Sequence, residues 1–154
     1  MKPLYITLLL LSALAIPYHA KAQSSKVAYD STLAKKLNAD EYGMKKYVLV
    51  LLKTGSATGF SKSATDSLFA GHMRNINRLV AEGKLVVAGP FAKNDKYRGL
   101  FILNVTSIEE GKKLVETDPA VQAKMLDMDL LVWYGSAALS ETLEIHKKIE
   151  KKSH

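Results

Sequence analysis

Two short segments, Tyr47-Val48-Leu49-Val50-Leu51-Leu52 and Leu100-Phe101-Ile102-Leu103, are apolar at every position. Side chains along a strand alternate between the two faces of a sheet, so strands of this composition need cover on both faces. A layer of helices supplies one cover. The other has to come from a C-terminal helix, an N-terminal arm or a second copy of the chain. Pairing of two sheets is the economical solution, because a two-fold contact buries the same patch twice. A homodimer is therefore expected.

The remaining pattern places these segments in an order. Strands are expected over 46–53, 84–91, 97–105 and 127–134. A helix is expected over 63–82, ended by Gly83 as a left-handed terminator. Ser107-Ile108-Glu109-Glu110 matches a capping box at the start of a second helix. Asp118-Pro119 breaks that helix and begins a short helical turn, and a final amphipathic helix is expected over 137–148. The order β-α-β-β-α-β is that of an α+β ferredoxin-like sandwich with an antiparallel sheet, in which the first and third strands are central. Here those are the two wholly apolar ones, as that topology requires.

The N-terminal segment reads differently. Lys2 precedes an uninterrupted run of apolar and small residues from Ile6 to Ile16, and Ala20-Lys21-Ala22 forms an A-x-A site. This is the pattern of a secretory signal peptide cleaved after Ala22, and the run is too short to span a bilayer as a helix. The expected layout is a signal peptide at 1–22, an arm at 23–44, one domain at 45–139, and a helix with a basic tail at 140–154. The mature protein is then periplasmic or secreted, with no membrane attachment after cleavage. It contains no cysteine, so it must persist in an oxidising space by packing alone. The formal charge of +7 resides largely in lysine pairs and the tail. No aromatic residues interleave with them, so a nucleic-acid face is not expected.

The expected helix over 63–82 carries the chemistry. At roughly 100° per residue, Leu68, Leu79, His72, Ile76, Phe69, Val80 and Met73 share an apolar arc, while Asn75, Arg74, Asn77 and Arg78 fall on the opposite side. His72 therefore faces the core, where an imidazole needs a partner. A histidine oriented by a carboxylate can act as general base or acid near neutral pH. Asp118 is the attractive partner, with Asp127 and Asp129 as alternatives. Glu82 lies ten residues on, about 15 Å along the helix axis, and cannot reach. The competing readings are a core histidine bonded to a carbonyl and an Asp-Pro pair that merely caps a helix. Metal signatures, a phosphate-binding loop and a recognisable Ser or Cys nucleophile are all missing from the sequence. No cofactor is expected.

Several stretches together resemble the YciI-like family, the YCII-related domain. They are the run from Gly71-His72-Met73 to Leu79, Glu82-Gly83-Lys84 through Gly89-Pro90-Phe91, Arg98-Gly99-Leu100-Phe101-Ile102-Leu103, Thr117-Asp118-Pro119-Ala120-Val121, and Trp133-Tyr134-Gly135. The resemblance implies a dimeric α+β barrel, a His–Asp pair at His72 and Asp118, and lyase- or isomerase-like proton transfer on a small, often cyclic, organic molecule. On this reading Gly89, Pro90 and Phe91 shape a pocket wall, Trp133 offers an apolar face, and Arg98 either holds an anionic group or is a surface charge. The alternative function is a non-catalytic small-molecule-binding or interaction domain using the same dimer cleft.

Overall fold

The computed structural model describes residues 27–94 and 96–152; the expected signal peptide lies outside them. Strands β1 (Met44–Thr54), β2 (Leu85–Pro90), β3 (Tyr97–Leu103) and β4 (Leu126–Ser136) form one antiparallel sheet in the order β2-β3-β1-β4. Helix α1 (Ser31–Lys36) precedes β1, α2 (Lys62–Ala81) links β1 to β2, and α3 (Ile108–Val115) with the single turn α4 (Pro119–Gln122) links β3 to β4. The fold is thus α+β with the ferredoxin-like β-α-β-β-α-β order, and the two wholly apolar strands are the central ones. No helix among the described residues is long and apolar enough to cross a membrane.

Strand alternation sorts the apolar residues into two sets. Val48, Val50 and Leu52 of β1, Phe101 and Leu103 of β3 and Leu85 of β2 join Leu79, Val105 and Val115 in the core beneath the helices. Each fully buried leucine there stabilises the fold by roughly 1.5–3 kcal/mol. On the opposite face, Leu49, Leu51, Leu100 and Ile102 are only half-buried, and Leu131 is exposed. One end of that face is closed by the chain itself. Tyr47 is fully buried there, its hydroxyl donating to the carbonyl of Ser136 at 3.0 Å. A 3₁₀ turn (Ala137–Glu141) and helix α5 (Thr142–Ile149) follow, so the expected continuous helix from Ala137 is divided in two. Thr142 Oγ1 lies 2.6 Å from the Leu139 carbonyl and 3.1 Å from that of Val86, tying the junction to β2.

The capping box forms by half. Ser107 Oγ accepts from the Glu110 amide at 3.1 Å, but the Glu110 carboxylate pairs with Lys84 at 2.9 Å instead of turning back to Ser107. The arm is anchored through Asp40, which accepts from the amides of Tyr42 and Met44 and from the Tyr134 hydroxyl on β4. That phenol and these amides hold the Asp40 carboxyl below its usual range, and the same hydrogen bond raises Tyr134.

Candidate active site

Helix α2 begins where Ser61 Oγ accepts from the Ala64 amide at 3.2 Å. It ends at Gly83, whose φ of +67° is the left-handed conformation that a terminator needs. Its buried residues are Gly71, His72, Asn75 and Leu79. This stripe is rotated from the arc that periodicity predicts: Asn75 is 7% exposed and Phe69 is 61% exposed. The cause is a neighbour the helix cannot sense alone. Turn α4 docks beside Gly71 so closely that a Cβ there would lie 2.9 Å from Pro119 Cγ. The absent side chain lets α2 and α4 meet, and their contact encloses Asn75 and Asp118.

The docking places His72 Nδ1 2.6 Å from Asp118 Oδ2. Asp118 is completely buried, and its oxygens face donors only. Oδ2 accepts from His72 Nδ1 and, at 3.5 Å, from Asn75 Nδ2, while Oδ1 caps α4 by accepting from the Ala120 amide at 2.9 Å. A carboxylate at Nδ1 fixes the proton there and leaves the lone pair on Nε2. Among the described residues no hydrogen bond is made to Nε2, and no fully buried side-chain nitrogen or oxygen lacks a partner. Nε2 is therefore reachable through the 11% of the side chain that is exposed. The imidazole lies near two phenyl rings, Phe101 of β3 and Phe69, each 5.9 Å away between centroids.

The sequence-predicted site residues divide between two places. His72 and Asp118 are brought together. Gly89 and Pro90 are exposed on β2 just beyond Ala88, which pairs with Phe101, so they lie along the strand edge leading from the His72 ring. Phe91 packs against Tyr97 at 6.4 Å. Arg98 donates through Nε to Thr54 Oγ1 at 2.7 Å. Trp133 pairs with Tyr47 on the face of the sheet away from the helices, and so is not brought beside His72. His72 and Asp118 themselves lie on the helix-covered side. The sheet face expected to meet a second copy is the opposite one, that of Leu49, Leu51, Leu100 and Ile102. Asp127 and Asp129 instead pair with Lys53 at 3.4 and 2.6 Å, and those hydrogen bonds and charges raise Lys53.

Sequence reasoning missed Gly71, Asn75 and Phe101 as neighbours of the pair. The helical spacing of three between His72 and Asn75 was the available signal. A concavity of about 730 Å³ between α3, α4 and β4, lined by Lys112, Val121, Lys124 and Met128 among others, includes neither His72 nor Asp118. Among the described residues no cluster of three or more carboxylates, histidines or cysteines is arranged to hold a metal.

Comparison with known proteins gives likenesses of three kinds. The profile of the YCII-related domain matches residues 46–133. An uncharacterised protein of Bacillus subtilis (strain 168), YjpA, is 31% identical over 64 residues, covering 42% of this chain and 73% of the relative. Among solved structures, the 5-chloro-2-hydroxyhydroquinone dehydrochlorinase of Burkholderia phenoliruptrix AC1100, in complex with 2,5-dihydroxybenzoquinone, is similar at a TM-score of 0.42 and 21% identity, covering 56% of this chain and 92% of that one.

Proposed function

The chain belongs to the YCII-related domain family, and on that premise we propose that it is a lyase- or isomerase-like enzyme moving a proton on a small organic molecule. His72 is the general base and Asp118 orients its ring. The observation that carries this reading is the division of labour on one imidazole: Nδ1 is committed to a buried carboxylate at 2.6 Å, while among the described residues Nε2 has no partner and the side chain keeps 11% of its surface exposed. Nε2 takes the proton from an acidic carbon or hydroxyl, and Asp118 stabilises the resulting imidazolium. The proton then returns to a different atom in an isomerisation, or accompanies loss of a leaving group in an elimination. The exposed Gly89-Pro90-Phe91 segment forms one wall of the approach.

The test is hydrogen exchange in deuterated water on a panel of small carbonyl and phenolic compounds, followed by NMR. Exchange catalysed by the natural chain should fall roughly 10²- to 10⁴-fold in His72→Ala, the usual contribution of a general base. Equal exchange in His72→Ala would end the reading. Binding of a panel compound without exchange, unaffected by His72→Ala, would favour the binding-domain alternative.

Assembly and export are two further proposals. The half-buried Leu49, Leu51, Leu100 and Ile102 with exposed Leu131 support a homodimer in which these sheet faces meet. Light scattering should then find a dimer that Leu131→Lys converts to a monomer, and a monomeric natural chain at micromolar concentration would remove it. The signal pattern supports export, and N-terminal sequencing of the cell-derived protein should begin at Gln23.

A further inference from the structure

We infer that Asn75 is a positioning residue for the His72–Asp118 pair, held in its working orientation by Arg78. The inference rests on the proton-transfer reading above and deepens it. Asn75 lies one helical turn beyond His72 and is almost fully buried. A buried amide is costly unless its polar ends are matched, and the surroundings match both. Arg78 Nη2, which can only donate, is 2.9 Å from one end of the amide. That end is therefore the oxygen. The amino end consequently faces Asp118 Oδ2, at 3.5 Å.

Arg78 is itself held at three points. Nη1 donates to Glu82 at 2.7 Å, and Nη2 also donates to Thr117 Oγ1 at 2.8 Å, the residue immediately before Asp118. Thr117 Oγ1 is 2.6 Å from the Leu114 carbonyl and can donate to it, which fixes the end of α3. Guanidinium, amide and hydroxyl thus join the two segments that contribute the base and its carboxylate. With Oδ1 pinned by the Ala120 amide and Oδ2 placed between two donors from α2, the carboxylate cannot rotate away from Nδ1 without losing a bond. The bond from Asn75 is the longer of the two on Oδ2, so it steers the carboxylate without displacing His72 as its main partner.

The ¹⁵N and ¹H NMR signals of the His72 ring in the full chain, assigned by their loss in His72→Ala, test this without a substrate. In the natural chain the proton should sit on Nδ1 with a downfield resonance. Asn75→Asp keeps the size and still accepts from Arg78, but presents oxygen where the amino group faced Asp118. Asn75→Ala removes the group altogether. Both should move and broaden the downfield resonance as the carboxylate loses its second tether, and Arg78→Met should broaden the Asn75 side-chain amide signals as the amide flips. Ring signals unchanged in both Asn75 variants, while Asp118→Asn moves them, would overturn the inference and leave the proton-transfer reading intact. A proton on Nε2 in the natural chain would instead overturn that reading. Should Asn75→Ala fail to fold, the isosteric Asn75→Asp decides the outcome alone.

Discussion

Asp118 is a buried acid with a donor at every contact, and its worth can be read from what each substitution strands. His72→Ala leaves Oδ2 with only the long bond from Asn75. An under-satisfied buried acceptor costs about 1–3 kcal/mol, so the unfolding free energy from denaturant titration should fall by that amount while the fold persists. Asp118→Asn behaves differently. Its remaining oxygen can still cap Ala120, but an amide nitrogen toward His72 would donate to Nδ1 and drive the imidazole proton to Nε2. That variant should stay folded and lose base function, which exchange kinetics and the ring ¹⁵N signals read separately. Residue types left the pairing of His72 with Asp118 as one reading among several, and the family resemblance singled it out. Asn75 was not legible, because an amide beside charged residues reads as solvent-facing until a neighbouring element is known.

At the scale of elements, the junction of α2 with α4 decides the site. Gly71→Ala would set a methyl group 2.9 Å from Pro119 Cγ, a ring atom fixed to the backbone that Asp118 caps. The turn must shift, so overpacking of about 1–3 kcal/mol is expected, together with a weakened His72–Asp118 bond seen as a change in the ring signals. A stability loss with unaltered ring signals would show that the turn moves independently of the pair. This junction also marks where sequence periodicity stops being informative. The β-α-β-β-α-β order placed β1 and β3 at the centre of the sheet, and their uniform apolarity agreed with it. The roll of α2 escaped the pattern: Phe69 and Met73 weigh heavily in an apolar arc, whereas Gly71, which weighs nothing, sets the contact. The Glu110 side chain likewise has a second suitor in Lys84, an ion pair across elements that the capping pattern does not contain.

The whole molecule responds to pH through groups away from the His72–Asp118 pair. Lys53 is raised by Asp129 and Asp127, Tyr47 by burial, and Tyr134 by its bond to Asp40. Groups raised on folding contribute stability that is complete below their unfolded values and lost as pH rises through the folded ones. The melting temperature should therefore decline above about pH 10, where free lysine and tyrosine titrate. Asp40 is lowered, so its contribution is complete above about pH 4 and disappears as acid protonates it. Loosening of the arm should then appear first as faster amide exchange at 40–44, and Tyr134→Phe should reproduce it at neutral pH.

Four strands separate two sets of residues that never meet: the imidazole and its carboxylate under the helices, and the leucines on the bare side. The sheet acts as a partition. His72, Asp118, Asn75 and Phe101 all lie on the helix side, away from the face proposed above to meet a second copy. On the proposed dimer and the proposed proton transfer, turnover of mixed natural and His72→Ala chains should follow the count of intact copies. Such a protein could exchange partners, or change how it assembles, without rebuilding its chemistry.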